Sequence, residues 1–289
     1  MSVTLPRASR AFLSIAATAT LCVLAFWPTF RWMAERFDAH DSFYSHGWLV
    51  PLASGWLVWQ RRKVLRRTLR HASWWGLLLL MPAVLVQVAA TWWHLGFVSG
   101  FAFVGTIWGL VWTYWGWSVL WALRFPLLFL LFMVPLPGVL LIAISFHLKM
   151  MAAALATGVL NLMGLHALHA GSTIQLRGAS VIVDDTCSGL RSLISLITLA
   201  TLWISFMPPS STRWPKFAII GASIPIALVA NMVRIIALVL LAAVYGPEAA
   251  DGFLHYGSGI VVFGVALVVL AWLTRVLHQC SEPSFGLNR

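Results

Sequence analysis

The chain is 289 residues long, 61% apolar and only 9% charged, with a formal net charge of +11. A soluble domain of this length needs far more charge to cover its surface, so the solvent of this protein is largely lipid. Nucleic-acid binding is excluded by the placement of the charge. The densest basic run, Arg61, Arg62, Lys63, Arg66, Arg67 and Arg70, contains no acid and lies between two apolar stretches, with no base-stacking surface among it. Such juxtamembrane clusters set topology and meet anionic lipid.

A spanning helix takes about 20 apolar residues. The first apolar run, Ala11 to Trp27, follows Arg7 and Arg10 as a signal peptide would. It has no clear small-x-small cleavage site, however, and continues into Trp27, Phe30 and Trp32, so it reads as an uncleaved first span. Runs bounded by charge, Trp and Pro then predict eight spans in all, at about 11–31, 44–60, 72–93, 97–117, 124–145, 187–207, 217–244 and 257–275. Pro135-Leu-Pro137 breaks or ends the fifth. Gly96/Gly100 and Gly105/Gly109 are small-xxx-small pairs suited to helix packing. Between Phe146 and Ala170 an apolar piece is interrupted by Lys149, Asn161, His166 and His169 and reads as an interfacial or re-entrant helix. Ser172 to Asp185 alternates partly and breaks at Arg177-Gly178, which predicts a small extracytoplasmic β-hairpin. The expected fold is an all-α, polytopic transmembrane bundle forming one domain over 1–289, with 276–289 as a cytoplasmic tail.

Orientation follows from the Lys/Arg count. With the N-terminus inside, thirteen of the nineteen basic residues fall on cytoplasmic segments. The other face then holds residues 33–46, 171–187 and 245–257.

Chemistry concentrates on that face. Asp184-Asp185-Thr186-Cys187-Ser188-Gly189-Leu190-Arg191-Ser192 places a cysteine where a polar loop turns into a span. Unpaired N–H groups and the macrodipole at a helix start favour a thiolate, and Arg191 at i+4 is expected on the same helix face. The plainer reading makes Cys187 a small buried residue and Thr186 or Ser188 a cap. Arg234, three residues after Asn231, is an arginine inside a span, where it costs roughly 2.5–3.5 kcal/mol unless a cavity, partner or substrate offsets it. A structural ion pair with Asp184 or Asp185 is the alternative to a site role. His255 precedes the last span on the same side as Cys187; a loop histidine is most often only a polar surface group. Together, thiol, imidazole and guanidinium supply a nucleophile, an acid/base and a cation for a developing oxyanion. Cys22 and Cys280 show no metal spacing with Cys187, and His166/His169 lack a joining carboxylate. No metal and no other cofactor is expected.

At these residues the sequence resembles the exosortase/archaeosortase family of membrane enzymes. Asp41-Ser-Phe-Tyr44-Ser45-His46-Gly47 with Pro51 is similar to the family's first extracytoplasmic motif, Asp185-Thr-Cys187-Ser188-Gly189-Leu190-Arg191-Ser192 to its cysteine motif, Asn231-Met-Val-Arg234 to its arginine motif, and His255 to its histidine. The resemblance implies a cysteine protease/transpeptidase in the bacterial inner membrane, with its active site facing the periplasm. It would cleave C-terminal sorting tails of the PEP-CTERM kind from membrane-anchored protein substrates. The new C-terminus would be released or passed to an acceptor nucleophile, in bacteria that often make exopolysaccharide. It casts Cys187 as nucleophile, His255 as acid/base and Arg234 as oxyanion or substrate-orienting cation. Arg191, Asn231, Asp185, Ser188, Tyr44 and His46 are expected to be supporting or substrate-binding residues. The competing readings are a transporter whose Arg234 binds an anion, and a non-catalytic assembly factor for polysaccharide or protein export. Spans rich in Trp and Phe argue against a water-filled path, and an assembly factor leaves the Cys/Arg/His grouping unexplained.

Overall fold

The computed structural model describes residues 7–39, 42–69, 71–176, 179–207, 213–246 and 253–281, without the side chains of residues 7–12, 186, 213, 253–256 and 278–281. The chain forms two compact units, one of residues 1–40 and 45–135, the other of residues 41–44 and 136–289.

In the first unit α1 (Arg7–Ala25) and α2 (Trp27–Asp38) meet at a 58° bend. Pro28, in the first turn of α2, has no amide to bond back, which favours a break at this point. A 3-10 turn, Ser45–Trp48, opens α3 (Leu49–Gln60), and the basic run follows as α4 (Arg62–Arg67). The Arg62 guanidinium lies 3.8 Å from the centre of the Trp59 ring, anchoring the run to an interfacial aromatic. Next come α5 (Leu77–Trp92), α6 (Gly96–Trp115) and α7 (Trp117–Phe129) with a 3-10 turn, Leu130–Met133. Helices α5 and α6 form a close pair because of Gly109: a Cβ there would lie 2.8 Å from the Leu80 Cα. At the bend, the Ala25 carbonyl accepts a bond from the Gln87 amide at 3.1 Å. Gln87 also bonds Thr29, Thr91 and Ser99, and Thr29 bonds Ser99.

The second unit starts with α8 (Gly138–Leu162). Three strands follow, β1 (Ala167–Ala170), β2 (Thr173–Leu176) and β3 (Ala179–Ile182), paired antiparallel in the order β1-β2-β3. Ala167 pairs with Leu176 and Thr173 with Ile182. After a 3-10 turn, Asp185–Cys187, come α9 (Leu190–Trp203), α10 (Arg213–Tyr245) and α11 (Phe253–Ser281).

Helix α10 is the axis of this unit and changes partners along its length. Its first part packs Ile219 and Ala227 with Leu196 and Ala200 of α9 and Ala266 and Leu270 of α11. Its last part packs Ile235, Leu238 and Val239 with Ala153, Ala156 and Leu160 of α8 and with Ile174 of β2. Apolar side chains at i, i+3 and i+4 on each stretch make both contacts possible. The changeover falls between Ala227 and Ile235.

Among the described residues, five helices are long and apolar enough to cross a membrane: Trp74–Trp92, Gly96–Trp115, Gly138–Leu162, Trp214–Tyr245 and Gly257–Leu277. Counted as one span, the bent pair α1–α2 makes a sixth. The expected spans 44–60, 124–145 and 187–207 fall partly on shorter helices, α3, α7 and α9. The break at Pro135-Leu-Pro137 is where the sequence placed it, whereas hydropathy did not show that Gly189, at a positive φ, delays the start of α9. Two further expectations are corrected. Helix α8 runs unbroken through Lys149 to Leu162, so 146–162 is not a separate interfacial helix. Lys149 has a partner outside the helix and does not interrupt it, and the break comes earlier, at Pro135 and Pro137. The hairpin is a three-stranded sheet, because Ala167–Ala170 leaves the helical path. The Asn161 side chain turns the chain there, donating to the Ala167 carbonyl at 3.1 Å and accepting from its amide at 2.8 Å. His166 and His169 therefore share no helix face. The Arg177-Gly178 break lies outside the described residues.

Candidate active site

The turn that carries Cys187 is short and held from three sides. The Cys187 amide donates to the Asp184 carbonyl at 3.0 Å and closes the 3-10 turn. Ser188 is buried; its hydroxyl donates to the Asp185 carbonyl at 2.7 Å and accepts from the Leu190 amide, the first of α9, at 3.3 Å. Gly189 then takes φ of +81°, the left-handed region. Because of that residue the sequence expectation for Arg191 does not hold. Cys187 and Arg191 do not share a helix face: the cysteine belongs to the 3-10 turn and Arg191 to the first turn of α9.

Helix α10 reaches this turn through Asn231. Its side-chain amide donates to the Cys187 carbonyl at 2.8 Å, and the carboxamide presses on Gly189, where a Cβ would come within 3.0 Å of it. Glycine at 189 thus answers two demands, a positive φ and a close approach. The Cys187 side chain is 3% exposed and belongs to the apolar cluster of Ala153, Ile174, Ile235 and Leu238. So the structural reading of Cys187 as a buried residue is correct as geometry. A reacting substrate would have to displace that cover.

One turn further along α10, the Arg234 Nε donates to the Ser258 hydroxyl at 3.3 Å, and its guanidinium lies 3.6 Å from where a Gly259 Cβ would be. Glycine at 259 leaves room for the planar group. Beside it is a cavity of about 30 Å³ bordered by Ser192, Asn231, Arg234 and Gly259 among apolar neighbours, a volume suited to a single small polar molecule. Ser258 lies one turn after position 255 in α11, so Arg234 meets α11 within a turn of that backbone position. The His255 side chain lies outside the described residues.

Asp185 pairs with Lys149 of α8, Nζ to Oδ1 at 2.8 Å, and accepts from the Ser145 hydroxyl at 2.9 Å. The bond from Lys149 is the main cause that holds the Asp185 carboxyl below its ordinary range; burial opposes it and Ser145 adds to it. The ion pair that the sequence offered to Arg234 is thus made with Lys149. Tyr44 is buried ahead of α8, its hydroxyl accepting from the Leu136 amide at 3.3 Å. His46, partly buried, sits in the 3-10 turn that opens α3. Asp41 of the same motif is outside the described residues.

Sequence reasoning missed Lys149, Ser145 and Ser258. Lys149 carried a usable signal, being the one Lys or Arg in a 25-residue apolar helix, since ionisable residues in such helices mark function by default. The two serines carried none.

Chemically, the unit joins a thiol-bearing turn, a guanidinium one helical turn from the side chain that holds it, and a helix start that carries a histidine. No curated protein and no solved structure matches the chain. Residues 32–272 match the family described as transmembrane exosortase (Exosortase_EpsH), and the chain belongs to that family.

Proposed function

We propose that the protein is a membrane cysteine peptidase/transpeptidase that cleaves C-terminal sorting tails from membrane-anchored proteins at the periplasmic face of the bacterial inner membrane. Cys187 gives its proton to His255, and Sγ attacks the scissile carbonyl carbon, forming a C–S bond as the carbonyl electrons move to oxygen. The Arg234 guanidinium holds that oxyanion. On collapse the C–N bond breaks, and protonated His255 gives its proton to the leaving amine. Water or an acceptor amine then attacks the thioester, losing a proton to His255; the C–S bond breaks, and the proton passes from His255 to the departing sulfur, returning the thiol. No metal takes part in this scheme. In this reading the chain works as one membrane domain; family membership supports the PEP-CTERM-like tail motif, and the Lys/Arg count supports the periplasmic side.

The observation that carries the reading is the Asn231 bond to the Cys187 carbonyl. It ties the cysteine turn to the helix turn from which Arg234 reaches the start of α11. Support also comes from the pattern of charge in apolar helices, since Lys149 ends on the cysteine turn and Arg234 on the helix start that carries His255.

The test is co-expression with a tail-bearing protein. Wild type is expected to shorten it, and Cys187→Ala to leave it whole while the variant inserts normally. Undiminished cleavage by Cys187→Ala would end the proposal.

A further inference from the structure

Lys149 lies outside every motif that carries the family resemblance, yet it is fixed on the cysteine turn. Helix α8 is apolar over 25 residues, and a charge within it is costly unless it is partnered. The side chain is 20% exposed and its partner Asp185 is 58% exposed. Burial of the carboxylate therefore does not drive the pairing; the lysine's own surroundings do. Ser145, one turn earlier on the same face of α8, is 1% exposed and donates to the same carboxylate oxygen. Two groups of α8 thus converge on one atom.

That atom belongs to the first residue of the Asp185–Cys187 turn. The Asp185 backbone carbonyl is in turn held by the Ser188 hydroxyl and, at 3.3 Å, by the Ser188 amide. At the other end of the turn Asn231 holds the Cys187 carbonyl. The turn is therefore strung between α8 and α10, with side-chain bonds at both ends and the thiol between them.

We infer that Lys149 is a positioning residue for Cys187, acting through Asp185, with Ser145 as its auxiliary. It touches no reacting atom. Its role is to fix where the turn begins, so that the thiol keeps one direction relative to α10. The inference rests on the catalytic reading of Cys187 given above, but its physical content, a restrained cysteine turn, can be measured without a substrate.

The experiment compares wild type, Lys149→Met, Lys149→Arg and Ser145→Ala in native membranes. Maleimide labelling of Cys187 is followed by peptide mass spectrometry, with Cys22 as internal control, and tail cleavage is assayed in parallel. Lys149→Met is expected to raise the Cys187 labelling rate about tenfold or more and to leave Cys22 unchanged. It should lower kcat about 10- to 100-fold with little change in KM, the scale of a misplaced reacting group. Lys149→Arg should restore both, because it keeps the charge and the donor. Ser145→Ala should move labelling in the same direction by less. Labelling of Cys187 at the wild-type rate in Lys149→Met overturns the inference, as does a rise shared equally by Cys22, which marks general loosening. If Lys149→Met fails to insert, wild-type labelling in Ser145→Ala overturns it. Should wild type prove unable to cleave any tail, the enzymatic reading falls, while the labelling comparison still decides the restraint.

Discussion

Each unit of the protein sets a group of polar side chains among apolar helices, and the two groups differ in kind. In the first unit Gln87, Thr29, Thr91 and Ser99 are neutral and bond one another, and Gln87 also serves the Ala25 carbonyl at the bend. In the second unit Lys149 and Arg234 are charged, and with Asn231 they reach out of their helices to a turn and to a helix start. A neutral network satisfies backbone groups where lipid offers no water. Full charges cost more than any such repair requires; Lys149 ends on the turn that carries Cys187, and Arg234 ends on Ser258 of α11. The difference separates polar groups at a helix bend from polar groups at the cysteine turn and the start of α11.

The largest expected effect would come from the charged set. Arg234→Lys keeps a cation but loses the planar fork that fits beside Gly259. Tail cleavage should fall about 100- to 1000-fold, the range for an oxyanion donor, with unchanged insertion. Activity within a fewfold of wild type would move Arg234 from the reaction to the structure.

A smaller loss is expected at Asn231. Asn231→Ala leaves the Cys187 carbonyl without this donor, a cost of about 1–3 kcal/mol for a buried acceptor. The same turn can be strained from its other side: Gly189→Ala must hold a left-handed φ, at about 1–2 kcal/mol, and bring its Cβ against Asn231. Both variants should lower the thermal midpoint of the second unit and cut cleavage. The double variant should cost less than the sum, because each disturbs the same contact. Strict additivity would show that the two residues do not act on one turn.

How much of this was legible in the sequence depends on the scale of the signal. Apolar runs, the Pro135–Pro137 break and the packing glycine at 109 are local patterns and read directly. Arg234 was legible because a charge in an apolar stretch is conspicuous in one dimension. Lys149 was equally conspicuous but was read as an interruption of its helix, since nothing local reveals that Asp185 waits 36 positions away. The strand Ala167–Ala170 was hidden for a related reason: Asn161, six residues earlier, ends the helical path through side-chain bonds that no propensity encodes. The left-handed Gly189 was read as part of a helix start, and this misplaced Arg191 relative to Cys187.

The neutral set should behave differently from both. Gln87→Leu removes the donor to the Ala25 carbonyl while leaving the Thr29–Ser99 bond intact. A side-chain hydrogen bond within a membrane protein is worth about 0.6 kcal/mol on average and at most about 1.7. The variant should therefore melt slightly earlier in detergent and cleave at the wild-type rate. A large loss of cleavage without loss of stability would erase the distinction between the two sets.

Acidification gives the smallest effect, and its sign follows from Asp185. The bond from Lys149 holds this carboxyl below its ordinary value of 3.8. The stability it contributes is fully present above that value and is lost only as pH falls through the depressed one. From pH 8 to pH 5 the tether to α8 should therefore stay whole, and the Cys187 maleimide rate, corrected for the thiolate fraction of a reference thiol, should be flat. Protection should fail only below about pH 4, and in Lys149→Met it should already be low at neutral pH. A rise in corrected labelling near pH 6 would mean that a group other than Asp185 holds the turn, and would shift attention to the histidine at the start of α11.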